Sequence, residues 1–151
     1  MNQSSRTLGP LKFKRRKHPT QQLPYVGIEF HVPKYGHCLW DVPLTGDYTG
    51  GWKTGQALAL IALKHVKATS AEPVGHLGSV ASSWLDRARG ASHEEFETLR
   101  AQVLGFMSAI EAAVIGGLVH AGYDTEAWDV KALLKEANQG LAYRDPEEWR
   151  R

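Results

Sequence analysis

The chain has 151 residues, a formal net charge of +2 and a single cysteine, Cys38. That length suffices for one domain with a substantial core, and one cysteine excludes a disulfide framework and suits a reducing cytoplasm. The charge is unevenly placed: Arg6, Lys12, Lys14, Arg15, Arg16 and Lys17 are six of the 18 basic residues and no acid lies among them, which leaves 12 basic against 16 acidic residues, a net of −4, in the remainder.

Residues 1–22 are polar, basic and nearly free of large apolar groups, so a disordered tail is expected there. Its charge is not followed by an apolar run, so no secretory signal is expected and a cytoplasmic location follows. The cluster Lys12, Phe13, Lys14, Arg15, Arg16 and Lys17 has the chemistry of a nucleic-acid contact. Its cations can track phosphates and Phe13 can stack on a base. The alternative is a solubilising tail or one bound by a protein partner.

The body, residues 23–151, is expected to be a single α+β domain, a β-hairpin packed on about four helices. Alternation of Val26, Ile28, Phe30 and Val32 predicts a strand over Pro24 to Val32, and Cys38, Trp40 and Val42 predict a second over His37 to Val42. A Lys34-Tyr35-Gly36 turn would pair Val32 with Cys38, Phe30 with Trp40 and Ile28 with Val42, all apolar. The same register sets Glu29 opposite Asp41 and His31 diagonal to His37. That face could hold a divalent metal on Glu29, His31, His37 and Asp41, receive a basic side chain, or simply be solvated. No cofactor is otherwise implied.

Pro43 to Gly55 is glycine-rich and reads as a mobile loop presenting Tyr48 and Trp52 to a protein partner. It is not a phosphate loop, because Trp52 separates Gly51 from Lys53. Thr54 is the expected cap of a helix to Lys67. A third helical segment begins near Pro73, with Val74, Leu77, Ala81, Trp84, Leu85 and Ala88 facing inward and Asp86 and Arg87 outward, and stops at Gly90.

The clearest prediction is a long helix from Ser92 to Gly122. Ser92 and Glu95 form a capping box, and Phe96, Leu99, Val103, Phe106, Met107, Ile110, Val114 and Leu118 recur at helical spacing. A second, small row is Gly105, Ala109, Ala112 and Gly116. It suits either a close intramolecular neighbour or the same helix of a second copy, so a homodimer is expected. The apolar run Val103 to Val119 is short of a membrane span and is interrupted by Glu111, which is expected to be half exposed. Asp124 is the expected cap of a last helix ending at Gly140, with Ala127, Val130, Leu134, Ala137 and Leu141 inward and Trp128 on its flank, available as an interaction anchor.

Strand, glycine turn, strand, proline, then a Thr/Gly loop into an Ala-rich helix, carried by Gly36, Pro43, Thr49, Gly51, Thr54 and Ala57, faintly resembles the N-terminal half of HicB-type antitoxins. The resemblance covers Tyr25 to Lys67 only. It implies a toxin-binding partner protein with a DNA-binding C-terminal part.

No nucleophile–base pair can be defended from spacing. The function expected is therefore that of a small non-enzymatic binding protein, a nucleic-acid-associated regulator or accessory factor working through its basic tail. The alternatives are a protein–protein adaptor, inhibitor or antitoxin-like partner, and a metal-dependent enzyme on the hairpin's outer face.

Overall fold

The structure, a computed structural model, describes residues 10–27, 38–69, 75–122, 124, 126, 127 and 129–142. Among them every regular element is helical: α1 (Pro19–Gln22), α2 (Asp47–Ala68), α3 (His76–Gly90), α4 (His93–His120) and α5 (Val130–Ala142). The chain divides into two compact units, Met1–Ala113 and Val114–Arg151.

The expected α+β class is therefore overturned. No strand forms among the described residues of 24–32 and 37–42, although the two segments do meet. Gly27 donates its N–H to the Cys38 carbonyl (2.8 Å) and Asp41 donates to Tyr25 (2.7 Å). The Asp41 backbone is thus paired with Tyr25, and Glu29, its expected partner, lies outside the described residues. A Cβ on Gly27 would lie 2.9 Å from the Asp41 Cβ, so this close approach requires glycine. Tyr25 and Val26 are successive and both buried, which a strand with one wet face does not allow.

The reason is visible in the backbone accounting. A buried segment must satisfy its N–H and C=O groups, and here side chains of two helices do so. Ser83 Oγ accepts the Leu39 N–H (2.9 Å). Arg87 donates to the carbonyls of Trp40 (3.0 Å) and Val42. Gln102 Nε2 donates to the Pro43 carbonyl (2.8 Å), while Gln102 Oε1 accepts from Trp40 Nε1 (3.1 Å). Residues 38–43 are thus an extended segment held between α3 and α4 by side-chain bonds. This also rotates α3 from its expected face. Val80, Ser83 and Trp84 are buried, whereas Leu85 is 69% exposed and Arg87 turns inward.

The glycine-rich stretch is not a loop but the first turns of α2. The chain enters it through two left-handed residues, Gly46 (φ 95°) and Asp47 (φ 52°). Glycine inside a helix costs about 1 kcal/mol against alanine, and close packing offsets that here. A Cβ on Gly51 would lie 3.0 Å from the Thr98 carbonyl oxygen and 3.1 Å from the Ala101 Cβ. One on Gly55 would collide with the Gln102 carbonyl, and one on Gly105 with the Trp52 carbonyl. Gly51 and Gly55, four apart, cross Ala101 and Gly105, also four apart, with the backbones nearly touching. The helix start moves from Thr54 to Asp47 accordingly.

Around that crossing lies the core of the first unit: Leu23, Tyr25, Val26, Trp40, Val42, Leu58, Ala59, Ala62, Val80, Trp84, Leu99 and Phe106. Trp40 is its hub, with Trp84 and Phe106 edge-on to it at centroid distances of 5.4 Å each, a favoured aromatic geometry. The capping box of α4 forms as expected: Ser92 N–H donates to Glu95 Oε2 (2.8 Å) and Glu95 N–H to Ser92 Oγ (3.3 Å). The helix ends at His120, with Gly122 left-handed at φ 70°.

In the second unit, α5 starts later than expected. Asp129, not Asp124, caps it, accepting the N–H groups of Lys131 (2.9 Å) and Ala132 (3.3 Å), and the helix continues through Gly140. Val130, Leu134 and Leu141, expected to face inward, are 74%, 62% and 77% exposed.

Candidate functional site

Residues 10–22, expected to be disordered, run as an extended strap into the single turn of α1. Two bonds fold the strap back on itself and a third joins it to the residue run that follows. Lys14 N–H donates to the Gln22 carbonyl (2.8 Å), Gln22 Nε2 donates to the Arg16 carbonyl (2.8 Å), and the Lys14 ammonium donates to the Val26 carbonyl. Leu11, Lys12 and Phe13 also line an open cavity of about 320 Å³ against Pro24, Thr54, Ala57, Leu58 and Ile61 of the strap's far end and α2.

The expected six-residue cluster is therefore split by geometry. Lys14 is half-buried and engaged with Val26. Lys12, Arg15, Arg16 and Lys17 are exposed and form no ion pair among the described residues, and Phe13 is 62% exposed beside them. The charge behind them has the same sign. Residues 10–27 and 38–69 carry Lys12, Lys14, Arg15, Arg16, Lys17, Lys53, Lys64 and Lys67 against Asp41 and Asp47.

Where the strap meets the helices there is a polar cluster that spacing alone does not disclose. Thr20 Oγ1 and His65 Nε2 are 3.3 Å apart. The rings of His65 and His76 lie 4.9 Å apart by centroid. His76 Nε2 is bonded to the Tyr25 hydroxyl at 2.7 Å. Burial, then the neighbouring His65, brings His76 down to about 4. Burial, then His18, lowers His65, and burial raises the Tyr25 hydroxyl. At neutral pH both imidazoles are uncharged, and the cluster joins α1, α2 and α3 without adding charge. Only the fold brings these residues together, since the bonded pairs are 45 and 51 positions apart.

The other sequence-derived candidates fare differently. Tyr48 (53% exposed) and half-buried Trp52 lie one above the other on the first turns of α2, centroids 6.4 Å apart, instead of on a loop. Trp128 lies outside the described residues, as do Glu29, His31 and His37. Asp41 alone of the metal set is described, and among the described residues no group of three or more His, Cys, Asp or Glu can hold a metal. Cys38 is buried, and burial raises its thiol, which suits an inert core residue.

Comparison of the chain with protein-family models, with curated proteins and with solved structures finds no match. Of the antitoxin-like pattern, no strand forms among the described residues of 25–42 and Gly36 lies outside them, while Thr49 and Gly51, expected on a loop, lie within α2 with Thr54 and Ala57.

Proposed function

We propose that the chain is a small non-enzymatic binding protein whose first unit docks on nucleic acid through the strap. The carrying observation is that Lys12, Arg15, Arg16 and Lys17 are exposed and without ion pairs among the described residues, on a strap joined to the fold by the side chains of Lys14 and Thr20. A tethered strap loses less entropy on binding than a free tail. Phosphate contacts of this kind position a protein without reading sequence, and exposed Phe13 adds a stacking surface for an unpaired base. The reading therefore favours single strands of either nucleic acid over base readout in a duplex groove.

The direct test is titration of a labelled single-stranded oligonucleotide with the native chain and with the variant in which Lys12, Arg15, Arg16 and Lys17 are all alanine. Binding at least about tenfold weaker in the variant is expected. Equal affinities would remove the reading.

One observation favours a second reading, a protein partner: Tyr48 presents an exposed ring next to Trp52. In that case Tyr48→Ala abolishes capture of the partner and leaves oligonucleotide binding unchanged.

A further inference from the structure

The second unit, Val114–Arg151, contains the end of α4 and the whole of α5. Among its described residues none is buried, and only Gly116 and Leu118 are half-buried. Yet seven large apolar side chains stand in the open: Val114 (50% exposed), Ile115 (53%), Val119 (70%), Val130 (74%), Leu133 (49%), Leu134 (62%) and Leu141 (77%). A unit below about 40 residues rarely sustains itself without a staple or a partner, and an apolar patch this large marks an interaction surface.

We propose that this surface is covered by a second copy of the same chain, the two pairs of helices packing as a four-helix bundle. Three arguments select that occupant. The first is area. At these exposures Val114, Ile115, Val119, Val130, Leu133 and Leu134 offer on the order of 600 Å² per chain, so two copies would bury ~1,200 Å², the lower limit of a stable specific interface. The second is charge. In an antiparallel pairing of α5 with its copy, centred between Leu133 and Leu134, Lys131 of each chain falls level with Glu136 of the other. Both residues are exposed, and this reciprocal match is what a two-fold interface requires.

The third argument weighs against a bilayer. By length and composition α4 can cross a membrane, but Ala101, Gln102, Gly105 and Phe106 are buried in the core of the first unit. The apolar run beyond them, Met107 to Val119, is about 20 Å long at 1.5 Å per residue, against ~30 Å of hydrocarbon, and Ala109 and Ile110 within it also pack on the core. Glu111, exposed within that stretch, would have to enter the lipid at high cost.

Sedimentation equilibrium of the full chain at roughly 10–100 µM, where an interface of this size associates, tests the proposal. A dimer is expected. Leu134→Lys, a change at an exposed side chain, is expected to give a monomer with the same helical circular dichroism. Lys131→Glu and Glu136→Lys each weaken the dimer, and the double variant restores it, whether or not Leu134→Lys folds. A monomeric native chain, or charge variants without mutual rescue, would overturn the antiparallel dimer. A chain that is monomeric in buffer but floats with phosphatidylcholine vesicles would assign the face to lipid instead.

Discussion

Three residues carry consequences that their neighbours do not share. At Gly55 any side chain would strike the Gln102 backbone, so Gly55→Ala is expected to destabilise the chain by about 2–4 kcal/mol. Gly50 lies one turn earlier on the same helix with nothing within 4 Å of its would-be Cβ. Gly50→Ala should therefore stabilise by about 0.5–1 kcal/mol through helix propensity alone. Urea midpoints of the two variants check the contrast, and equal shifts would contradict the close crossing. Gln102 is wholly buried and bonded to both Trp40 and Pro43. Gln102→Leu strands a buried indole N–H and a half-buried carbonyl, and a loss of about 2–4 kcal/mol is expected in the same measurement. His76 makes stability depend on pH. Its folded value, about 4, lies below its ordinary 6.5, so between those values the unfolded chain binds the extra proton. The contribution of the neutral ring is complete above pH 6.5 and is lost as the pH falls toward 4. After allowance for partial solvent screening, the loss is on the order of 2 kcal/mol. His65 acts in the same direction. Urea midpoints at neutral and acid pH should show the drop, and His76→Gln should flatten it.

At the scale of elements, what was legible in the sequence was what depends on near neighbours. The capping box at Ser92 and Glu95, the end of α4 before Gly122 and the apolar run between them are local signals, and they appear where expected. Val26, Trp40 and Val42, read as the inner face of a hairpin, do enter the core. The strands themselves do not form, because period-two alternation reports burial and not the partner that satisfies the backbone. That partner is Ser83, Arg87 and Gln102, more than 40 residues downstream. The glycine run was open to a second interpretation. Small residues four apart, Gly51 with Gly55 and Ala101 with Gly105, are the signature of closely crossing helices, even though glycine usually marks loops. The strap also depends on contacts that spacing does not disclose: Lys14, read as a phosphate contact, donates to the Val26 carbonyl. If Arg87 holds the 38–43 segment as described, Arg87→Met, which keeps the alkyl stem, should cost about 2–3 kcal/mol by leaving two carbonyls unpaired. Arg89→Met, at an exposed residue of the same helix paired with exposed Asp86, should cost no more than about 0.5 kcal/mol. Thermal denaturation of both variants decides.

For the whole molecule the account separates two tasks. The first unit encloses an aromatic core and carries the basic strap on its surface; the second exposes its apolar side chains. Charge is divided within the first unit. Beyond the strap and α2, residues 75–122 hold Arg87, Arg89 and Arg100 against Asp86, Glu94, Glu95, Glu97 and Glu111, so a polyanion should be steered to the N-terminal half. The central claim is that the four strap cations meet phosphates. It is tested most directly by the salt dependence of single-strand binding to the native chain. If Lys12, Arg15, Arg16 and Lys17 each displace a counterion, the logarithm of the binding constant should fall with the logarithm of salt concentration at a slope of about −2.8, that is −0.7 per contact. Removing the four should bring the slope close to zero. A slope near zero in the native chain, or one unchanged by the four substitutions, would contradict the account.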